Sequence, residues 1–260
     1  MATAPQPQLP LFYKDLMPLN SRDHGSWRSR SIDKASWINS QHAIPLTVEE
    51  FPQAQRDFPI VFSAGENPVP LGLMGLNEGV NVFFDEQGTL LGDSYVPAYV
   101  RRYPFLLAKL RPDTDEMSLC FDPSAEILGE YPEGEQLFVE GEPSEHTKSV
   151  LDFCEKFEEA GARTQAFMEE LQKADLLMEG EVSIRQNDKP DQPYIYRGFR
   201  MVNQDKLREV DADTLKRWNE SGLLPLIYAH LFSLDLMRVI FAKQTAIGKG
   251  PGAETATTVN

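Results

Sequence analysis

Apolar positions recur with a helical period over Glu145 to Lys173, where Val150, Phe153, Phe157, Thr164, Phe167 and Leu171 share one stripe. This predicts one long amphipathic helix, supported by the i,i+4 pairs Glu159–Arg163 and Glu169–Lys173 and weakened at Gly161. A second apolar stretch, Leu223 to Phe241, runs about 19 residues, close to the ~20 that cross a bilayer. His230, Asp235 and Arg238 interrupt it, so it reads as a central core helix with Asp235 and Arg238 one turn apart and able to pair, not as a transmembrane segment. Asp211 or Asp213 can cap a short helix that stops near Gly222, and Thr47 and Glu50 have capping-box spacing. Pro52 fits only the first turn of a helix, which moves the expected start toward Pro52.

Other segments carry strand chemistry. Phe58 to Ser63 reads as a buried strand, and Met117 to Phe121 and Gln136 to Val139 as short strands. Val182–Arg185 and Tyr194–Arg200 flank Asn187-Asp-Lys-Pro-Asp191 as a hairpin would. Val80–Phe84 and Thr89–Leu91 flank Asp85-Glu-Gln-Gly88 in the same way. Next, Asp93 or Ser94 is placed to cap a helix with Pro97 in its first turn and with Val96, Tyr99, Val100 and Tyr103 on one face, before Pro104 bends or ends it. The interleaving predicts an α+β fold, antiparallel hairpins packed with several helices, including the long amphipathic helix and a buried C-terminal helix. Residues 1–10 are expected to be a flexible arm, 11–244 a single body with a subdivision near 140–145, and 245–260 a disordered tail.

Four blocks carry a family resemblance across residues 11–243. They are Pro18-Leu-Asn with His24 and Ile44-Pro-Leu-Thr-Val-Glu-Glu-Phe51; Phe58-Pro-Ile-Val-Phe62; Asn81 to Phe105, with its core Tyr95-Val-Pro-Ala-Tyr-Val-Arg-Arg-Tyr-Pro-Phe105; and Gly198-Phe-Arg-Met-Val202 with Gly222-Leu-Leu-Pro-Leu-Ile-Tyr-Ala-His-Leu231. The third block is the most specific. In these blocks the chain resembles the bacterial SapC family, named for an association with paracrystalline surface layers. Similar proteins are often encoded beside TonB-dependent receptors and flavin-dependent halogenase-like or cupin-like enzymes. The resemblance brings no catalytic residues. It implies an accessory or binding protein working with an envelope-linked enzyme, receptor or export system; an enzyme, metal-dependent in one version, acting on a small anionic or peptide substrate and a surface-layer subunit are the alternatives.

Charge narrows these choices. The net charge of -15 lies mostly between Asp113 and Glu159, where 15 acidic residues face only Lys148 and Lys156. Lys189 to Lys249 holds ten basic and seven acidic residues. Such acidity repels a phosphate backbone and argues against nucleic-acid binding. The acidic segment reads as a solvated face or as a docking surface for a protein partner. The N-terminus lacks a basic start followed by an apolar run, so a signal peptide is not expected and a cytoplasmic location is. Cys120 and Cys154 have no metal or redox spacing.

Catalytic fingerprints are missing from the sequence: no Gly-x-Ser-x-Gly, no His-Glu-x-x-His, and no Gly-x-Gly-x-x-Gly after a strand. No cofactor is predicted. His24-Gly-Ser-Trp-Arg28 gathers an imidazole, an indole and a guanidinium suited to a planar or anionic group, unless Trp27 plugs the body and Arg28 meets an acidic partner. Arg101 and Arg102 diverge by about 100° on a helix, and one of them beside Tyr95, Tyr99 or Tyr103 could clamp a carboxylate. The competing role is a structural one, with Asp85, Asp93 or Asp122 as partner. His24 and His42 are the only metal-ligand candidates, and both are weak.

Overall fold

The computed structural model of the protein describes residues 9–31, 34–111, 113–186, 189–250 and 257–258. Most of the expected arm and tail, and the Asn187–Asp188 turn, lie outside the described residues. The fold is α+β, and its contacts divide it into two compact units. The first combines Met1–Asp33 with Arg101–Glu158, and the second combines Lys34–Val100 with Glu159–Asn260.

In the first unit, Met17–Pro18, Met117–Phe121 and Phe105–Lys109 form an antiparallel sheet, with Phe105 opposite Phe121 and Leu107 opposite Leu119. Arg28–Ser29 is the centre of a second small sheet, between Leu128–Gly129 and Glu135–Gln136. Their inward side chains, with Cys154 from the long helix, make a core of Phe105, Leu107, Phe121, Leu128, Leu137 and Phe138. Asp122 is buried at the end of the Met117–Phe121 strand and accepts from the backbone N–H of Lys14 (2.7 Å) and of Ser124 (2.8 Å). Burial opposes its ionisation, but these N–H groups and the Ser124 and Tyr103 hydroxyls hold its carboxyl below the ordinary range.

The second unit is built on a five-stranded antiparallel sheet in the order Leu177–Glu179, Phe199–Val202, Ile60–Ser63, Pro70–Leu73, Ala43–Pro45. Ile60, Val61 and Phe62 are all fully buried, so this central strand is covered on both faces. The Leu223–Ser233 helix is stapled to it by His230, whose Nε2 accepts the Val202 N–H (3.1 Å) and whose Nδ1 therefore carries the proton donated to the Ile60 carbonyl (2.8 Å). Ser233 adds a hydroxyl that accepts the Ile60 N–H at 2.8 Å. Val182–Gln186 and Lys189–Arg197 pair antiparallel as the expected hairpin, but the second strand begins at Lys189, within the stretch expected to turn, and ends at Arg197, with Phe199–Val202 passing to the five-stranded sheet.

The long helix spans Glu145–Lys173, as its periodicity predicts, and its most buried side chains are Thr147, Cys154, Ala160, Thr164, Phe167, Met168 and Leu171. Asp211 caps Ala212–Glu220, and Gly222 follows at φ 78°.

Three local expectations need correction. Around Asp85–Gly88 the turn is present, with Gly88 at φ 83°, but pairing stops at a single Phe84–Leu90 bridge and no hairpin strands extend from it. The Tyr95 N–H and Ala98 N–H go instead to Asp57 (2.7 Å) and Glu50 (2.6 Å), so carboxylates distant in sequence do what Asp93 or Ser94 was expected to do. The C-terminal apolar stretch is a helix pair, Leu223–Ser233 and Met237–Ala246, joined by the 3₁₀ turn Leu234–Leu236. By length and composition Leu223–Ala246 could cross a membrane, with an 18-residue mean hydropathy of 1.5, but about a third of that window is buried. One side packs through Ile227, His230, Met237, Ile240 and Gln244, while Tyr228, Phe232 and Val239 are exposed. Asp235 and Arg238 are also exposed and form no ion pair with each other among the described residues.

Candidate functional site

Helix geometry puts residues i, i+3, i+4, i+7 and i+8 on one face, and in the first turns of Glu145–Lys173 those positions are His146, Ser149, Val150, Phe153 and Cys154. In the first unit this face forms one wall of a cleft of about 380 Å³. Arg101, Arg102 and the Tyr103–Phe105 segment supply a second wall, and Ser29, Arg30 and Ile127 close the remainder. Three guanidinium groups thus line the cleft, and among the described residues no Asp or Glu does.

Aromatic faces position the arginines. Arg30 Cζ stands 3.4 Å over the Tyr131 ring, Arg101 Cζ lies 5.3 Å from the Phe153 centroid, and Arg102 Cζ lies 4.2 Å from that of Phe157. Arg102 is buried and reaches Glu158 at 3.2 Å, whereas Arg101 is exposed, the divergence expected of neighbours on a helix. Arg30 has no carboxylate at ion-pair distance among the described residues. His146 Nε2 is buried and has no hydrogen-bond partner among the described residues, and for an imidazole nitrogen that omission costs about 1–3 kcal/mol.

The remaining polar groups in the wall are occupied or unreactive. Burial, partly offset by Arg102, pushes the Cys154 thiol up to about 11, so it stays protonated and non-nucleophilic. Burial and then the Asp122 carboxylate push the Tyr103 phenol up to about 12, and its hydroxyl faces Asp122 at 3.4 Å. The Ser149 hydroxyl donates to the Glu145 carbonyl at 2.9 Å. The arrangement offers positive charge, an apolar floor and one buried hydrogen-bonding nitrogen, which suits binding an organic anion.

Of the residues singled out from the sequence, Arg101, Arg102 and Tyr103 come together in this cleft. Tyr95 and Tyr99 fall in the second unit, where the Tyr95 hydroxyl donates to Glu50 (3.1 Å) and Tyr99 is buried. His24 and Trp27 are packing residues: His24 is buried, its Nδ1 is 3.2 Å from both the N and O of Asn20, and its ring meets Trp27 and Phe121 edge to face. Arg28 donates to the Gly134 carbonyl at 2.8 Å. Trp27 is thus the plug, while the partner of Arg28 is a carbonyl and not an acid. His42 belongs to the second unit, where burial lowers its pKa. Among the described residues no three His, Cys, Asp or Glu side chains are grouped to share a metal ion.

Sequence reasoning missed Arg30, His146, Ser149 and Cys154. The i, i+3, i+4, i+7, i+8 spacing was available as a signal, but a half-buried Phe153 reads as core until the cavity beside it is seen. The second unit has another cleft, of about 440 Å³, floored by Phe167, Trp218 and Leu226. Its arginines are already neutralised, Arg163 by Glu49 and Glu159 and Arg217 by Glu170, which leaves little for an anion.

No curated protein and no solved structure matches the chain. A family model described as SapC matches residues 19–240, a span that contains the arginine-lined cleft and the greater part of both units. With that match over most of its length, the chain belongs to the SapC family.

Proposed function

We propose that this SapC-family protein acts by binding and not by catalysis, holding a small organic anion in the cleft of its first unit and working as an accessory to a protein partner. The observation that supports this is a cleft lined by Arg30, Arg101 and Arg102 and, among the described residues, by no carboxylate, inside a strongly acidic chain. Gathering three guanidinium groups around one apolar cleft favours the uptake of a negative charge there. The protonated Cys154 and the engaged Tyr103 and Ser149 hydroxyls supply no activated nucleophile.

Calorimetric titration of the full chain with a panel of small carboxylates and phosphates tests the reading. At least one class should bind saturably, and the double variant Arg30→Glu with Arg101→Glu should abolish that binding while thermal unfolding stays cooperative. Binding that survives the double charge reversal would remove the cleft from consideration. The accessory role predicts that affinity purification from the native host recovers a stoichiometric protein partner; recovery of the free chain alone would refute it.

A further inference from the structure

We infer that the ligand of this cleft is an amphipathic monocarboxylate: its carboxylate meets Arg30, Arg101 and His146, and its apolar body lies against Ile127, Val150 and Phe153. The inference rests on the anion-binding reading above and adds three observations to it.

First, the cleft offers an inorganic ion only part of what it holds. Beyond its cations it presents Pro104, Phe105, Ile127, Val150 and Phe153, so a ligand that is all charge leaves those side chains against water. A ligand with a short aliphatic or aromatic body removes that surface from water, and each buried methylene tightens binding by about threefold to fourfold.

Second, the surrounding charge selects against polyanions. Over Met1–Asp33 and Arg101–Glu158 the sequence has 17 acidic and 10 basic residues, and 10 minus 17 leaves the unit at -7. Repulsion at a distance grows in proportion to ligand charge, so a phosphate dianion is opposed about twice as strongly as a carboxylate before it reaches the guanidinium groups. Once inside, the planar carboxylate matches the guanidinium fork.

Third, His146 Nε2 is a buried nitrogen in a wall of the cleft with no partner among the described residues. As the Nε2–H tautomer it donates a charge-assisted hydrogen bond to a carboxylate and so loses its orphan status on binding.

The test is titration of the full chain with acetate, butanoate, hexanoate, 1-hexanol, inorganic phosphate and hexyl phosphate. In the wild type, affinity should climb from acetate to hexanoate by about threefold or more per methylene, and hexanol should bind at least tenfold more weakly than hexanoate. Phe153→Ala should weaken hexanoate about tenfold more than it weakens acetate, whose loss is limited to the aromatic support of Arg101. His146→Ala should weaken all the carboxylates by about tenfold. If phosphate or hexyl phosphate binds more tightly than hexanoate, or if affinity is flat with chain length, the monocarboxylate assignment is wrong while anion binding stands. If no anion binds the wild type, both fall together. Far-ultraviolet circular dichroism and Tm for each variant separate a lost site from a lost fold, and Phe153→Leu, which keeps an apolar wall, should retain the chain-length dependence.

Discussion

Acidification should destabilise the second unit through His230 before it touches most carboxylates. The side chain is fully buried, its Nε2 accepts from the Val202 N–H, and burial drives its pKa from 6.5 down to about 4, opposed only by the Ile60 carbonyl. Protonation would place a charge without solvent and turn an accepting nitrogen into a donor facing a donor. Between pH 6.5 and about 4 the unfolded chain binds a proton at this position and the folded chain does not. Stability therefore falls as pH drops, by ~1.36 kcal/mol per pH unit for one proton, and over about 2.5 units the loss comes to about 3 kcal/mol. This contribution is fully present above pH 6.5 and exhausted below about 4. His42, also lowered by burial, works in the same direction, so the comparison must isolate His230. His230→Gln keeps an oxygen able to accept from Val202, loses the bond to Ile60 and cannot titrate. It should be about 1–3 kcal/mol less stable than wild type at pH 7. The two urea-unfolding free energies, measured from pH 7.5 to 4.5, should converge as the wild type loses what the variant never had. Parallel curves across that interval would refute the assignment of His230 as a buried neutral staple.

Two further predictions concern the Asn81–Phe105 segment and the long helix. Glu50 is buried and accepts from the Thr47 N–H (2.8 Å), the Thr47 hydroxyl (3.0 Å), the Ala98 N–H (2.6 Å) and the Tyr95 hydroxyl (3.1 Å), so Glu50→Gln sets an NH₂ against donors. It should cost about 2–3 kcal/mol and speed amide exchange at Ala98, and unchanged exchange there would contradict this tether. Gly88 has φ 83°, and a Cβ there would lie 2.4 Å from the Ala35 carbonyl carbon, whereas Gly161 in the long helix has open space. Gly88→Ala should lower Tm by roughly 4–8 °C and Gly161→Ala should raise stability by about 0.5–1 kcal/mol, a pairing that fails if both move Tm in the same direction.

The elements legible in the sequence are those whose cause lies within a few residues. The Glu145–Lys173 helix is written in apolar positions three and four apart, and its ends were readable to the residue. Asp211, Gly222 and the Thr47–Glu50 box act on backbone groups one to three residues away, and each appears where local chemistry placed it. The α+β class and SapC membership follow from the same local record.

Tertiary structure decided which polar groups answer which. Glu50 completes a local capping box with one oxygen and holds Tyr95 and Ala98 with the other, a choice made by packing over a separation of 45–48 residues. His24, attractive in sequence beside Trp27 and Arg28, is consumed by its own turn and by Phe121, while His146, which no sequence motif marks, lines the cleft. Periodicity says which face of a helix is apolar, but it cannot say whether that face meets a side chain or a cavity. Over Val150 and Phe153 the difference depends on Arg30, Arg101 and Ile127, which only the folded first unit brings to the same place.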